Sequence, residues 1–266
     1  MKIPYLKAHG AKNDFLLTPV AAVPGGVEMA DVARAICDRH TGVGADGWLH
    51  VGAGDPNADG EIHLYNADGS VAEISGNGTR CAAAFLIYQG LKSSEVRIRT
   101  GAGVKHLRLV ERSGLRFTFE MNMGVPEIRA ASFWLPLAGG SREVTLVWVG
   151  NPQCAVPVEN FEFDWRKMGT EIESHPHFPN RTNVSFFRVM DRHTIEVVFY
   201  ERGAGETWSS GTGSTGAVAA AMARGLVESP VTVRTPAGPL EIRGGPDLFL
   251  VGPAEILATG EFYLGE

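Results

Sequence analysis

Ser75-Gly76-Asn77-Gly78-Thr79-Arg80 and Ser210-Gly211-Thr212-Gly213-Ser214-Thr215 are two versions of one turn, set 135 residues apart in a chain of 266. Each leads into an alanine-rich segment, Cys81 to Tyr88 after the first and Gly216 to Arg224 after the second. A repeat at that spacing reads as two similar half-domains. A glycine-rich turn that opens a helix presents unpaired backbone N–H groups and the positive end of the helix dipole, a seat for carboxylate or phosphate oxygens. Neither turn carries the lysine of a phosphate loop, and neither sits in a dinucleotide-binding βαβ unit. Both are led by a serine, and two hydroxyl-led turns at matching positions point to one shared anion site.

The flanking segments set the architecture. Ala82, Ala83 and Ala84 in the first helix, and Ala217, Ala219, Ala220, Ala221 and Ala223 in the second, leave few charges on any face. Such slim helices are expected inside a curled sheet, where backbones approach closely. Alternating runs at Glu61 to Tyr65, Val96 to Arg99, Leu107 to Val110, Leu115 to Glu120, Glu143 to Val149, Thr194 to Tyr200 and Val231 to Val233 read as half-buried, largely antiparallel strands. Met29 to Asp38 and Trp165 to Ser174 add two helical patterns. Many strands and few helices make this an α+β chain rather than a doubly wound one. Met121-Asn122-Met123-Gly124-Val125-Pro126 reads as the crossing between halves.

Composition removes several function classes. Glycine accounts for 33 residues, well above the ~7% average, so tight turns and short strands are expected. A net charge of −6, with no basic run, excludes a nucleic-acid or anionic-membrane surface. The N-terminal Met1-Lys2-Ile3-Pro4-Tyr5-Leu6-Lys7 has no apolar stretch of signal-peptide length. Cys37, Cys81 and Cys154 are an odd set at irregular spacing, which fits a reducing cytoplasm. His175-Pro176-His177 has no converging cysteine or carboxylate cluster, so no metal is expected.

Further polar segments share the order of a known family. They are His9-Gly10-Ala11-Lys12-Asn13-Asp14-Phe15, Cys37-Asp38-Arg39-His40-Thr41-Gly42-Val43-Gly44-Ala45-Asp46-Gly47, Asn66-Ala67-Asp68-Gly69 and Gly76-Asn77-Gly78-Thr79-Arg80-Cys81. Gly150-Asn151-Pro152, Arg181-Thr182-Asn183 and Glu201-Arg202-Gly203-Ala204-Gly205-Glu206-Thr207 follow in the second half. With them the chain resembles the diaminopimelate epimerase family along nearly its whole length. The resemblance implies two pseudo-symmetric halves, each a curled, mostly antiparallel sheet around a central helix, with the active site between them. The boundaries expected are residues 1–122, joined by 255–266, and residues 123–254.

The family moves a proton on and off an amino-acid α-carbon with one cysteine from each half and no cofactor. Ser75 and Ser210 occupy those two cysteine positions, and Gln153 stands where the family usually has a histidine. Glu201 matches the family's supporting glutamate. By the same resemblance Asn66, Asn183 and Arg202 would hold the distal amino-carboxylate end of the substrate, with Asn13 and Asn151 as further contacts. Gly76 and Asn77, with Gly211 and Thr212, would clamp the α-carboxylate, and Gly47 replaces a glutamine of some members. A thiol near pKa 8.5 can be tuned into a base at neutral pH, whereas a hydroxyl needs an activating neighbour. Cys81 and Cys154 are expected to be core residues turned away from Ser75 and Gln153. The expected activity is a cofactor-independent epimerase converting LL- to meso-diaminopimelate, with a small amino acid as substrate partner and a homodimer as the one assembly entertained. The alternatives are an isomerase or dehydratase of another small amino or hydroxy acid, and a non-catalytic amino-acid-binding homologue.

Overall fold

The computed structural model describes residues 1–265. The chain divides into two compact units, Met1–Met121 together with the residues from Gly252 onward, and Asn122–Val251.

The first unit runs β1 (Lys2–Gly10), β2 (Asn13–Pro19), α1 (Met29–Cys37), β3 (Gly47–Asp55), β4 (Ala58–Asn66), β5 (Val71–Ala72), α2 (Gly76–Tyr88), β6 (Glu95–Thr100), β7 (Gly103–Ser113) and β8 (Arg116–Gly124). Antiparallel β1·β2, parallel β2·β3, antiparallel β3·β4 and β4·β5, parallel β4·β6, and antiparallel β6·β7 and β7·β8 follow in order. The two parallel pairs fix the helices, because parallel neighbours need a long crossover. α1 is the crossover from β2 to β3, and α2 the crossover from β4 to β6. α1 covers one sheet face with Val32, Ala33, Ile36 and Cys37 against Ile3, Leu16 and Trp48. α2 takes the other face, touching β1, β2, β3, β4, β6 and β7.

The second unit repeats this order. It runs β9 (Glu127–Leu135), β10 (Arg142–Trp148), β11 (Pro152–Pro157), α3 (Trp165–Glu173), β12 (Asn183–Asp191), β13 (Thr194–Glu201), β14 (Gly205–Thr207), α4 (Gly211–Ala223), β15 (Val231–Thr235), β16 (Gly238–Gly244) and β17 (Leu248–Tyr263). Its ladders match those of the first unit: parallel β11·β12 and β13·β15, antiparallel β10·β11, β12·β13, β13·β14, β15·β16 and β16·β17. α3 packs Trp165 and Ile172 on Cys154, Val156, Val184 and Phe186. α4 lies on the opposite face, touching β9 to β13, β15 and β16. β17 is long enough to serve twice, and its later residues pair with β1 in the first unit, Lys2 opposite Tyr263.

The α+β architecture, with one alanine-rich helix inside each sheet, is therefore present. Ala82, Ala83 and Ala84 are fully buried, as are Ala217, Ala220 and Ala221. Ala223 is the exception: it is exposed because it ends α4. The glycine-rich turns are themselves the first turns of the helices, which begin at Gly76 and Gly211 rather than at Cys81 and Gly216. Gly213 shows why glycine is needed there, since a Cβ would lie 2.8 Å from Phe199 of β13. Helix α1 stops at Cys37, where Asp38 turns extended and its carboxylate accepts from the amides of His40 and Thr41. The strand runs read from alternation all lie on strands, but Leu115 and Val149 fall just outside theirs. Strands β2, β3, β11 and β12 show no such pattern in the sequence, because continuous runs of their residues are buried on both faces.

Candidate active site

Both leading serines are helix N-caps, extended in backbone with φ near −130° and −136°. Ser75 Oγ accepts from the Gly78 amide and Ser210 Oγ from the Gly213 amide, each at 3.1 Å. This satisfies one of the orphan donors at each helix start. The amides of Gly76 and Asn77, and of Gly211 and Thr212, take no acceptor among the described residues. Each turn therefore keeps two N–H groups for an anion.

In the second unit Ser210 has a partner. Its hydroxyl donates to Glu201 Oε1 at 2.6 Å, a short hydrogen bond. Burial pushes the Glu201 carboxyl above its ordinary value, and the hydrogen bond from Ser210 opposes that rise without cancelling it. Glu201 ends β13, and the turn after it is tied from below. Buried Glu173 accepts from the Gly203 amide at 3.1 Å and pairs with Arg181 at 2.6 Å. Asn183 Oδ1 accepts from the Arg202 amide, and its Nδ2 donates to the Pro152 carbonyl, both at 3.0 Å. Asn183 is thus committed to holding two strand ends together. The Arg202 guanidinium reaches the Asn180 carbonyl and forms no ion pair among the described residues. Thr212 Oγ1 accepts from Gln153 Nε2 at 3.1 Å and from Asn151 Nδ2 at 3.4 Å. Gln153 Nε2 also reaches Asn151 Oδ1 at 2.7 Å, while its buried Oε1 has no partner. A glutamine cannot exchange a proton near neutral pH, so this cluster orients groups but does not titrate.

The first unit is built differently. The Ser75 hydroxyl has no acceptor among the described residues. Asn66 ends β4 nine residues before Ser75, the place that Glu201 holds before Ser210, and it donates to Ser70 Oγ at 2.9 Å. Asn77 Nδ2 donates to Asn13 Oδ1 at 3.2 Å, and Asn13 Nδ2 donates to Asp46 at 2.7 Å. Behind them Arg39 pairs with Asp14 at 2.7 Å and Asp46 at 2.8 Å, and Lys7 pairs with Asp14 at 3.1 Å. Burial pushes Asp14 up, but the bonds from Arg39 and Lys7 outweigh it and hold the carboxyl below its usual range. The β1–β2 turn that presents Asn13 bends through Ala11 at φ 49° and Lys12 at φ 61°, a left-handed pair that favours glycine or asparagine. At Gly47 a Cβ would come to 3.0 Å from Leu64 Cδ1 and the Tyr65 carbonyl, so a larger side chain there would require its neighbours to shift.

The cysteines take no part in either cluster. Burial pushes Cys37 and Cys81 up to about 12, and Cys154 higher still. Cys154 packs in the α3 core while neighbouring Gln153 faces α4, as strand alternation requires. His175 bonds the Pro136 carbonyl and His177 stacks on Phe133. The Lys7–Asp14–Arg39–Asp46 network and Glu173 have no local sequence signal, because their partners are scattered along the chain. The equal nine-residue spacing from Asn66 to Ser75 and from Glu201 to Ser210 was a usable signal for the difference between halves.

Among solved structures, a probable proline racemase from Agrobacterium radiobacter covers 99% of this chain and 93% of its own, with a TM-score of 0.74 at 17% identity. A phenazine biosynthesis protein of the PhzF family from Bacillus anthracis gives 0.76 at 14% identity, over 99% and 100%. At such identities the likeness shows a shared fold. The diaminopimelate epimerase profile matches residues 5–128 and 145–256. The diaminopimelate epimerase of Pelotomaculum thermopropionicum is 36% identical over 275 residues, 97% of this chain and 98% of that one. The enzyme of an Azoarcus species is 38% identical over 281 residues, 99% and 100%. The chain belongs to the diaminopimelate epimerase family, a family of isomerases in amino-acid biosynthesis.

Proposed function

We propose that this protein is a cofactor-independent epimerase acting on a diamino dicarboxylic acid of the diaminopimelate type, with hydroxyls in place of the family's thiols. The Ser210–Glu201 bond of 2.6 Å carries the reading. A hydroxyl becomes an effective base only when a neighbour takes its proton, and Glu201 is that neighbour. In the forward step the Cα–H bond breaks and its proton passes to Ser210 Oγ, as the Ser210 hydroxyl proton moves to Glu201. The electron pair is left as an enediolate, a charge that free helix-start amides such as those of Gly211 and Thr212 stabilise. Ser75 serves the other face and delivers its hydroxyl proton to the α-carbon. Asn13, Asn66, Asn151 and Arg202 hold the rest of the substrate, with Asn183 fixing the Arg202 backbone and Gln153 orienting Thr212.

The test is α-proton exchange in deuterated water, followed separately on LL- and meso-diaminopimelate. Exchange with inversion supports the proposal, and Ser75→Cys with Ser210→Cys should raise its rate. Absence of exchange in both forms, with tight calorimetric binding, makes the protein a non-catalytic amino-acid binder. A second reading has its own support: Ser75 lacks an acceptor, and Gln153 and Asn66 are both amides. With one effective base, the chemistry would be dehydration of a hydroxy amino acid or a proton shift, recognised by loss of one water or by exchange without inversion.

A further inference from the structure

Arg80 lies four residues into α2 and is completely buried. Its Nε donates to the Pro253 carbonyl at 3.0 Å, one Nη to the Gly76 carbonyl at 3.2 Å, and the other Nη to Asn77 Oδ1. All three acceptors are neutral. Arg80 has no carboxylate partner among the described residues, and two of its five N–H donors take no acceptor there. The nearby charges do not compensate it, since Lys7 and Arg39 are matched by Asp14 and Asp46. Burial alone pushes the guanidinium down to about 10, which leaves it cationic at neutral pH.

An uncompensated buried cation is costly unless something supplies the opposite charge. Structure alone does not call for it. In the second unit Thr215 stands at the matching place, 135 residues on, and donates to the Gly211 carbonyl at 2.9 Å. A neutral hydroxyl therefore does there what Arg80 does at the Gly76 carbonyl. The two turns thus differ in charge as well as in their serines. The α2 turn is backed by a cation, while the α4 turn faces the Glu201 carboxylate.

We propose that Arg80 is a positioning residue that makes the α2 turn the dominant seat of the substrate carboxylate, supplying the charge behind the Gly76 and Asn77 amides and fixing the Asn77 side chain. The consequence is a preferred orientation. The carboxylate is drawn to the Ser75 end of α2. The inference rests on the turns being carboxylate clamps, not on which amino acid is bound or whether inversion follows.

Backbone amide NMR of the intact protein, titrated with acetate and with neutral acetamide, tests it. In the wild type, acetate should shift the Gly76 and Asn77 amides saturably, and at lower concentration than the Gly211 and Thr212 amides, while acetamide should not. Arg80→Gln should weaken acetate at the α2 turn by about tenfold, in keeping with the loss of one charged hydrogen-bonding group, and leave the α4 turn unchanged. Arg80→Lys, which keeps the charge, should retain most of the preference. Equal titration of both turns in the wild type, or none, overturns the proposal even if neither variant folds. So does an equal weakening by Arg80→Gln and Arg80→Lys, which would mark a purely structural role.

Discussion

Ser75 and Ser210 make the same capping bond, yet among the described residues only Ser210 also donates to a carboxyl group. Ser75→Ala should lower stability by about 1 kcal/mol, the usual effect of losing a serine N-cap, as read by urea denaturation. Ser210→Ala removes the same cap and also the hydroxyl that donates to Glu201. It should abolish α-proton exchange where Ser75→Ala abolishes inversion but leaves exchange detectable. Equal exchange in the two alanine variants would refute this division of labour. Glu201 adds a pH signature. A carboxyl whose pKa rises on folding holds its proton more tightly in the folded state, so its burial weighs on stability only above the 4.5 of the free group. Wild-type stability should therefore fall relative to Glu201→Gln as pH rises through the elevated Glu201 value. Exchange activity should rise over that same interval, because only the carboxylate can accept a proton.

At the scale of elements, each capping serine opens a buried helix that forms a parallel crossover of its sheet. The fit is close enough to be tested with single methyl groups. Gly213→Ala would set a Cβ 2.8 Å from Phe199 and 2.9 Å from Ser210 Oγ, displacing the cap and the proton relay together. Gly78→Ala, at the matching place in α2, would meet Leu49 Cδ1 and Ser75 Cβ at 3.3 Å, a contact that small shifts can absorb. The melting temperature should drop by several degrees more for Gly213→Ala than for Gly78→Ala, with the loss of exchange confined to the former.

At the largest scale, two units of one topology differ in local charge: the first buries Arg80 behind its helix start, and the second places the Glu201 carboxyl against Ser210. All three cysteines are buried outside both clusters and held above their usual pKa, so none substitutes for the missing thiols. A thiol reagent at neutral pH should label no cysteine in the native protein and three after unfolding. Rapid native labelling that also stops exchange would bring a cysteine into the mechanism. Among the described residues no helix is long and apolar enough to cross a membrane.

The amino-acid order alone determined that there are two similar units, each with a hydroxyl-capped helix of small residues. Close packing demands glycine and alanine along the chain itself, and each cap is made within four consecutive residues. It also carried Glu201, nine residues before Ser210. Tertiary structure decided the rest, because the remaining partners meet across the sheet from distant segments. Asn183 proved to brace a turn, Gln153 to orient Thr212, and Asp14, Arg39 and Asp46 to support Asn13. The charge of Arg80 became meaningful only once its burial, and the absence of a carboxylate beside it, were known. Burial and pairing set what a charged group can do, and both depend on contacts that no local sequence window contains.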